Sequence, residues 1–414
     1  MRKLIFSILC ISISAGTLFA QSAEQVTNDI KYLASDDLEG RGVGTAGLAK
    51  AADYVAERFA AIGLTPAGTN GFFQDFALDP SAPALAHAGI EATEVRNVVG
   101  KLEGVGPNAR EVVILGAHYD HLGLGGSGSL DPDSMGVVHN GADDNASGTA
   151  ALIQAAEILA GRSGNRRTFY FVAFTAEELG LLGSDYYAKN PTYQPDFAYA
   201  MINFDMVGRL RDEGLMVIGT GSAAEFPEMI ERVNAEHDLT LQTSPDPWGA
   251  SDHTSFYAQD MPVLHLFTNT HSEYHRTTDD WPLINAEGIV QVAEFAADLA
   301  WSMATHQQQL AFLTVDAPAP ASGGGYGSWL GSIPDMSGSP GGVRFTGVRE
   351  GSPADSVGIQ SGDILVQLGE FVVEDLYDMT DALRAYKPGE TIDYAVLRDG
   401  KRVEGRVTLG VRGG

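Results

Sequence analysis

The 414-residue chain contains a single cysteine, Cys10. It lies in the N-terminal leader, so the rest of the chain can form no disulfide and run no thiol chemistry. Basic residues are also scarce: 26 Lys and Arg stand against 54 Asp and Glu, for a net charge of -28. A chain this acidic repels phosphate backbones, which argues against nucleic acid or an anionic membrane surface as a partner. No apolar run is long enough to span a bilayer. The stretch from Leu4 to Ile13 is too short for that. It follows Arg2 and Lys3 and leads into small residues ending in Leu18-Phe19-Ala20, the pattern of a secretory signal peptide cleaved after Ala20. Export is therefore expected, to a periplasm or the surrounding medium.

What the chain does have is a series of short apolar runs, each followed closely by a histidine or a carboxylate. Val112-Val113-Ile114-Leu115 precedes His118, Phe169 to Phe174 precedes Glu177-Glu178, Tyr199 to Phe204 precedes Asp205, and Val263 to Phe267 precedes His275. Runs of this length between helical patterns predict buried strands of a mostly parallel sheet. Ligands of such sheets bind beyond the carboxyl ends of the strands. Asp143 joins the set from the turn Gly141 to Gly148, ahead of a helix that buries Ala150, Leu152, Ile153 and Ala156. Two imidazoles and three carboxylates are too many for one tetrahedral ion and enough for two ions that share a bridge. A helical pattern from Glu24 to about Arg58, broken at Asp36 to Arg41, a loop followed by a helix over Gly141 to Ala160, and a closing helix from Ala286 to about Gln309 complete an α/β three-layer core.

Each of these residues also has a plainer reading. Asp144, Asn145 and Ser147 suit the start of a helix, and acids in a first turn are favoured by the helix dipole, which would account for Glu177-Glu178 as well. Capping does not require two adjacent carboxylates in a Gly-flanked turn. Neighbouring side chains cannot face one cation equally, so the glutamate pair predicts divided labour, with one ligating and the other moving protons. In His118-Tyr119-Asp120, the side chains flanking Tyr119 project to the same side of an extended backbone, and Asp120 is placed to accept from the second ring nitrogen of His118. His87, His121, His139, His237, His265, His271 and His306 read as loop or satisfied core residues, with His121 and His265 nearest the site.

Taken together, Gly116-Ala117-His118-Tyr119-Asp120, Gly141-Ala142-Asp143-Asp144-Asn145-Ala146-Ser147-Gly148, Phe174 to Ser184, Asn203 to Gly208 and Tyr274-His275 resemble the successive motifs of the secreted di-zinc aminopeptidases. That group is related to the glutamate carboxypeptidases and, more distantly, to the glutaminyl cyclases. The resemblance spans roughly Glu24 to Met303. It implies a three-layer α/β/α zinc-exopeptidase core with two zinc ions. His118 and Asp205 would hold one, Glu178 and His275 the other, with Asp143 bridging and Glu177 as general base. It also implies peptide substrates, shortened from the N-terminus. A carboxypeptidase or a glutaminyl cyclase of the same fold is the alternative, and a non-catalytic peptide-binding adaptor is one of a different class. Ser251 to Phe256 resembles a further motif of the pocket wall, placing Asp252 and His253 beside substrate or behind the ligands. Asp279 is expected to orient His275.

From Thr314 to Gly325 the composition turns to Pro and Ala, then to Gly, which marks a linker. The expected organisation is a leader over 1–20, a peptidase domain over 21–313, a linker over 314–325 and a small domain over 326–414. The last region reads as short strands (Val343 to Val348, Ile364 to Leu368, Thr391 to Leu397, Val403 to Leu409) with one helix from Leu376 to Ala385. Gly351-Ser352-Pro353-Ala354-Asp355, Gly358-Ile359, Gly362 to Leu365 and Gly369 resemble a bacterial PDZ domain, a small β-rich α+β fold. Ser328-Trp329-Leu330-Gly331 stands where its carboxylate-binding loop belongs. That implies capture of an extended peptide or protein C-terminus, while a packing module with an unused groove is the plainer reading.

Overall fold

The structure, a computed structural model, describes residues 15–78, 85, 90, 94–125, 128–131, 134–315, 328–334, 341–349, 351–374 and 376–411. Of the expected leader, residues 1–14 lie outside the described residues, as do residues 316–327, which include most of the expected linker. Residues 15–20 open helix α1 (Ala15–Leu33), and a 3-10 turn over Asp36–Arg41 leads to α2 (Ala46–Ile62). Thr45 starts α2 by accepting the Leu48 N–H at 3.1 Å, and Gly63, at φ 90°, ends it in the left-handed conformation that glycine favours.

Then follow β1 (Thr65–Pro66), β2 (Phe73–Ala77), β3 (Glu94–Leu102), β4 (Val112–His118), α3 (Gly148–Ala160), β5 (Thr168–Phe174), α4 (Leu182–Lys189), β6 (Ala198–Phe204), β7 (Leu215–Ile218), α5 (Phe226–Asn234), β8 (Leu241–Ser244), α6 (His253–Tyr257), β9 (Val263–Phe267) and α7 (Ala286–Thr305). Nine strands form one sheet in the order β1-β3-β5-β4-β6-β9-β7-β8, with β2 paired to β3. The centre, β5-β4-β6-β9, is parallel. On its flanks β3 meets β5 and β7 meets β9 antiparallel. An apolar run carries no direction, so its sequence could not separate the parallel centre from these flanks.

The central strands are buried on both faces, which is why their sequences run apolar without alternation. In β4, Val113, Leu115 and Ala117 face one apolar layer with residues of α1, α2, α3 and α7, whereas Val112 and Ile114 face another with Phe174, Tyr187, Met201 and Phe256. A fully buried ring such as Phe171 contributes about 3–5 kcal/mol relative to alanine. Helix α7 ends at Thr305, short of the expected Gln309. There His306 turns extended, at φ -61° and ψ 133°, and the buried Arg167 guanidinium donates to the carbonyls of Met303 at 3.1 Å and Gln308 at 3.3 Å. Among the described residues, no helix is long and apolar enough to cross a membrane.

The last residues before the expected linker are tied to this core. Val315 N–H donates to the Tyr257 hydroxyl at 2.6 Å, its carbonyl accepts from Trp248 Nε1 at 3.1 Å, and Leu313 N–H donates to Ser222 O at 2.9 Å. Thr314 and Val315 therefore belong with the core, not with the linker assigned from composition.

The C-terminal region comprises β10 (Ser328–Trp329), β11 (Ser332–Pro334), β12 (Val343–Val348), α8 (Pro353–Ser356), β13 (Ile364–Leu368), β14 (Phe371–Val372), α9 (Leu376–Ala385), β15 (Thr391–Arg398), β16 (Lys401–Thr408) and β17 (Gly410–Val411). Six strands form the sheet β11-β12-β13-β15-β16 with β14 on β13, and β10 pairs with β17. Its apolar core, including Leu330, Phe345, Leu365, Ala382, Leu383, Val396 and Val407, is separate from that of the large sheet. Gly331, at φ 81°, lies where a Cβ would come within 2.2 Å of Ser352 Cβ, so the Ser328-Trp329-Leu330-Gly331 loop requires glycine there.

Candidate metal centre

The parallel strands end at one rim of the sheet, and the loops beyond it converge. His118 is the last residue of β4, Glu177 and Glu178 follow β5, and Asp205 follows β6 directly. Asp144 comes from the irregular turn Ala142–Ser147 ahead of α3, and His275 from the loop after β9. His118 Nε2 stands 3.4 Å from both Asp144 Oδ1 and Asp205 Oδ1. His275 Nε2 stands 3.1 Å from Asp144 Oδ2 and 3.3 Å from Glu178 Oε2. Asp144 thus faces a histidine with each of its oxygens. Donors around a tetrahedral zinc, at bonds of about 2.0–2.1 Å, lie about 3.3 Å apart. The histidine-to-carboxylate distances of both sets are close to that spacing, and His118, Asp144 and Asp205, like His121, Asp144 and Glu178, present donor atoms within 4.8 Å of one another, so each group could hold an ion.

The structure corrects the expectation for Asp143. Its Oδ1 accepts from Gly208 N–H at 2.7 Å and from Ser147 Oγ at 2.9 Å, and its Oδ2 pairs with His271 Nε2 at 3.0 Å. Both oxygens are engaged away from the cluster. Asp144 adopts an extended backbone, φ -108° and ψ 91°, and successive side chains of extended chain point to opposite sides, so only one of the two aspartates can face the crevice. Helix capping in this turn falls to Asn145, whose Oδ1 accepts from Gly148 N–H at 2.8 Å and Met206 N–H at 3.1 Å.

Asp120 and Asp279 also have partners other than those expected. His118 Nδ1 faces the Asp120 backbone carbonyl at 3.3 Å, while the nearer carboxylate oxygen stays at 3.8 Å. The carboxylate instead accepts the backbone N–H of Glu177 at 3.1 Å and of Glu178 at 3.3 Å, fixing the loop that carries both. Asp279 accepts the N–H groups of Asp143 at 2.9 Å and Asp144 at 3.1 Å. His275 is oriented by the Gly128 carbonyl, 2.8 Å from Nδ1. For His118 the expectation named the right residue and the wrong acceptor atom, and for His275 the acceptor comes from another loop, because backbone carbonyls and amides leave no trace in side-chain identity.

Ser251 Oγ donates to Asp205 Oδ2 at 2.7 Å, and Asn203 Nδ2 donates to Ser251 at 2.8 Å. Asp252 and His253 are buried beside this chain of contacts. The His253 ring stacks on His265, centroids 4.5 Å apart, and neither imidazole reaches the donor sets. His271 is satisfied by Asp143 and by Glu273, the latter at 3.2 Å.

The sequence placed His121 near the site without a role, and it gave Arg41 none. His121 lies inside the cluster, its Nδ1 2.7 Å from Glu178 Oε1. Arg41 is fully buried and, among the described residues, has no carboxylate partner at ion-pair distance. Its guanidinium donates to the carbonyls of Tyr119 at 2.8 Å, Leu33 at 2.5 Å, Asn140 at 2.7 Å and Gly141 at 2.9 Å, clamping the loops that carry His118 and Asp144. Burial lowers its pKa to about 10 while Asp120, Asp144, Asp279 and Glu178 oppose the shift, so it stays a cation behind the acid cluster. A lone arginine in the acidic, Gly-rich stretch Asp36 to Gly42 was the available signal.

The site's charges are strongly perturbed. Burial, reinforced by Glu178, Asp252 and Asp205, pushes Glu177 well above the usual carboxylate range. Burial alone would lower His118, but Glu177 and Asp205 hold it well above its ordinary value. Burial likewise raises Asp252, to about 7, and Asp120, to about 6. Ala176, Met206 and His275 hold φ of 54°, 49° and 56°, left-handed conformations that cost on the order of 1–3 kcal/mol each and cluster at functional sites.

Residues 97–300 match Peptidase family M28, and residues 328–409 match a PDZ domain. Leupeptin-inactivating enzyme 1 of Streptomyces exfoliatus is 27% identical over 253 residues, covering 60% of this chain and 49% of that protein. Leucine aminopeptidase 2 of Trichophyton equinum is 28% identical over 204 residues, 47% of this chain and 37% of that protein. The chain thus spans half or less of the length of these curated relatives. Among solved structures, BSAP, a zinc aminopeptidase from Bacillus subtilis, aligns with a TM-score of 0.53 at 17% identity, over 69% of this chain and 95% of that one. A glutaminyl cyclase from Bacteroides thetaiotaomicron, bound to N-acetylhistamine, aligns at 0.54 and 17% identity, over 67% and 97%. At these identities the likeness is one of fold.

Proposed function

We propose that this chain, which carries a peptidase M28 domain followed by a PDZ domain, is an exported zinc-dependent aminopeptidase that removes N-terminal residues from peptides. The observation that carries the reading is the pair of donor sets meeting at Asp144, with Glu177 beside them and raised in pKa. His118 and Asp205 would hold one ion, Glu178 and His275 the other, and Asp144 both. When bound, zinc ions there supply Lewis-acid polarisation of a peptide carbonyl and ease the deprotonation of water. Glu177 is placed to take a proton from the attacking water and to pass it to the leaving amine. Asp120 holds the backbone of Glu177 and Glu178 and touches no reacting atom, so its role is positioning.

The region from Ser328 to Gly331 is read as the carboxylate loop of the PDZ groove, a site for a peptide or protein C-terminus. We place the peptidase unit up to Val315 and the PDZ unit from 328 on. A glutaminyl cyclase of this fold typically needs one zinc, and two donor sets favour the peptidase. The experiment is incubation of the zinc-loaded protein with one peptide in three forms: free, N-acetylated and with N-terminal glutamine. Release of the first residue from the free peptide alone, lost on chelation, is expected. Cleavage of the acetylated form would point to a carboxypeptidase, and pyroglutamate formation to a cyclase.

A further inference from the structure

We propose that His121 is a positioning residue of the second donor set, donating a hydrogen bond from Nδ1 to Glu178 Oε1 so that Oε2 is the single oxygen Glu178 offers to a cation. The inference rests on the two-ion reading above. His121 Nδ1 and Glu178 Oε1 are 2.7 Å apart, whereas Oε2 faces His275 Nε2 at 3.3 Å. Two donors sharing a tetrahedral zinc stand about 3.3 Å apart. A separation of 2.7 Å is too short for that and is the length of a charge-assisted N–H to carboxylate hydrogen bond. The next carboxylate oxygen, Asp144 Oδ2, lies 3.8 Å from the same nitrogen, beyond hydrogen-bond reach.

The ring is built into this position. His121 is buried, and its Nε2 has no hydrogen-bond partner among the described residues, so the contact to Glu178 is the one polar interaction recorded for the imidazole at hydrogen-bond distance. Its backbone N–H donates to the Arg41 carbonyl at 3.2 Å. A Cβ at position 141 would come within 2.4 Å of the His121 ring, and Gly141, at φ 53°, leaves the space the ring occupies. A histidine buried only as packing needs no carboxylate oxygen at 2.7 Å. Groups that hydrogen-bond a metal ligand fix its orientation, and their loss typically weakens metal binding about 10- to 100-fold.

The test titrates zinc into the metal-free protein against a chromophoric chelator, for the wild type, His121→Ala, His121→Leu, His121→Asn and Glu178→Gln. Glu178→Gln marks which ion belongs to the second set. The two variants without a donor should weaken that ion about 10- to 100-fold and leave the other within about threefold. Asparagine places an amide N–H near the position of Nδ1 and should restore most of the affinity. The thermal midpoints of the metal-free proteins serve as the folding check, and leucine, which keeps the volume, covers the case in which alanine does not fold. Unchanged affinity in both non-donor variants overturns the proposal, as does equal weakening of both ions. An asparagine variant as weak as alanine also overturns it, since the imidazole would then ligate directly. A wild type that takes up one ion refutes the two-ion reading. If that ion is the one Glu178→Gln loses, the His121 comparison is read on it. If it is not, the inference falls with the reading.

Discussion

Asp143 and Asp144 are neighbours of identical chemistry, and the structure gives them opposite consequences on removal. Asp143 holds the Gly208 N–H, Ser147 Oγ and His271 Nε2 at 2.7–3.0 Å in a fully buried setting. A hydrogen bond to a charged group contributes about 1.5–3 kcal/mol, and breaking a buried pair by removing one partner costs about 3–5 kcal/mol. Asp143→Ala should therefore destabilise the metal-free protein by about 3–5 kcal/mol while leaving both donor sets with their own oxygens. Asp144 sits at the meeting point of His118 and His275, in a cluster that also holds Glu177, Glu178 and Asp205. Its removal relieves repulsion between carboxylates as well as breaking its contacts to the two histidines, so Asp144→Ala should destabilise the metal-free protein less than Asp143→Ala does and abolish tight uptake of both ions. Denaturant unfolding in chelator gives the first quantity, and metal content after equilibrium dialysis gives the second. The reasoning is refuted if Asp143→Ala loses the metals while remaining stable, or if Asp144→Ala retains them.

Glu177→Gln should keep the metal content and lower kcat by roughly 10²–10⁴-fold, the usual effect of a lost general base; full turnover by this variant would remove Glu177 from the mechanism. In the C-terminal region, burial would raise Asp363, but Arg398, at 2.6–2.7 Å, and the Gln360 N–H hold it below its ordinary value. Its stabilising contribution is then complete above the unfolded pKa of about 3.9 and is lost as pH falls through the lower folded value. Asp363→Asn should accordingly destabilise that region by about 2 kcal/mol at pH 7 and by progressively less as pH falls below the unfolded value, read from chemical unfolding across that range. Truncation after Val315 should leave a soluble protein that hydrolyses aminoacyl dipeptides at the full-length rate, because Val315 is the last described residue tied to Tyr257 and Trp248. Aggregation, or loss of dipeptide hydrolysis, would show the two regions to be one folding unit.

Much of the architecture could be read from the pattern of apolar runs. β12, β13 and α9 have the bounds expected from their sequence, and His118, Glu178, Asp205 and His275 stand where strand ends converge. The rest was hidden for physical reasons. Which of Asp143 and Asp144 faces the crevice depends on one extended residue in an irregular turn, and no side-chain pattern encodes that dihedral angle. The partners of Asp120, Asp279 and Arg41 are backbone groups, some of them about a hundred residues away, as in the Arg41 bonds to Asn140 and Gly141. Backbone donors and acceptors are the same at every position, so only the fold can say which of them a side chain meets. His121 could be placed near the site but given no role, because its value comes from its distance to Glu178, across the sheet rim.

The most direct measurement is anomalous scattering at the zinc edge from crystals of the zinc-loaded protein. The account predicts two peaks, one among His118 Nε2, Asp205 and Asp144 and the other among His275 Nε2, Glu178 Oε2 and Asp144, with none at Asp143 and His271. A single peak, or density placed against Asp143 and His271, would contradict it.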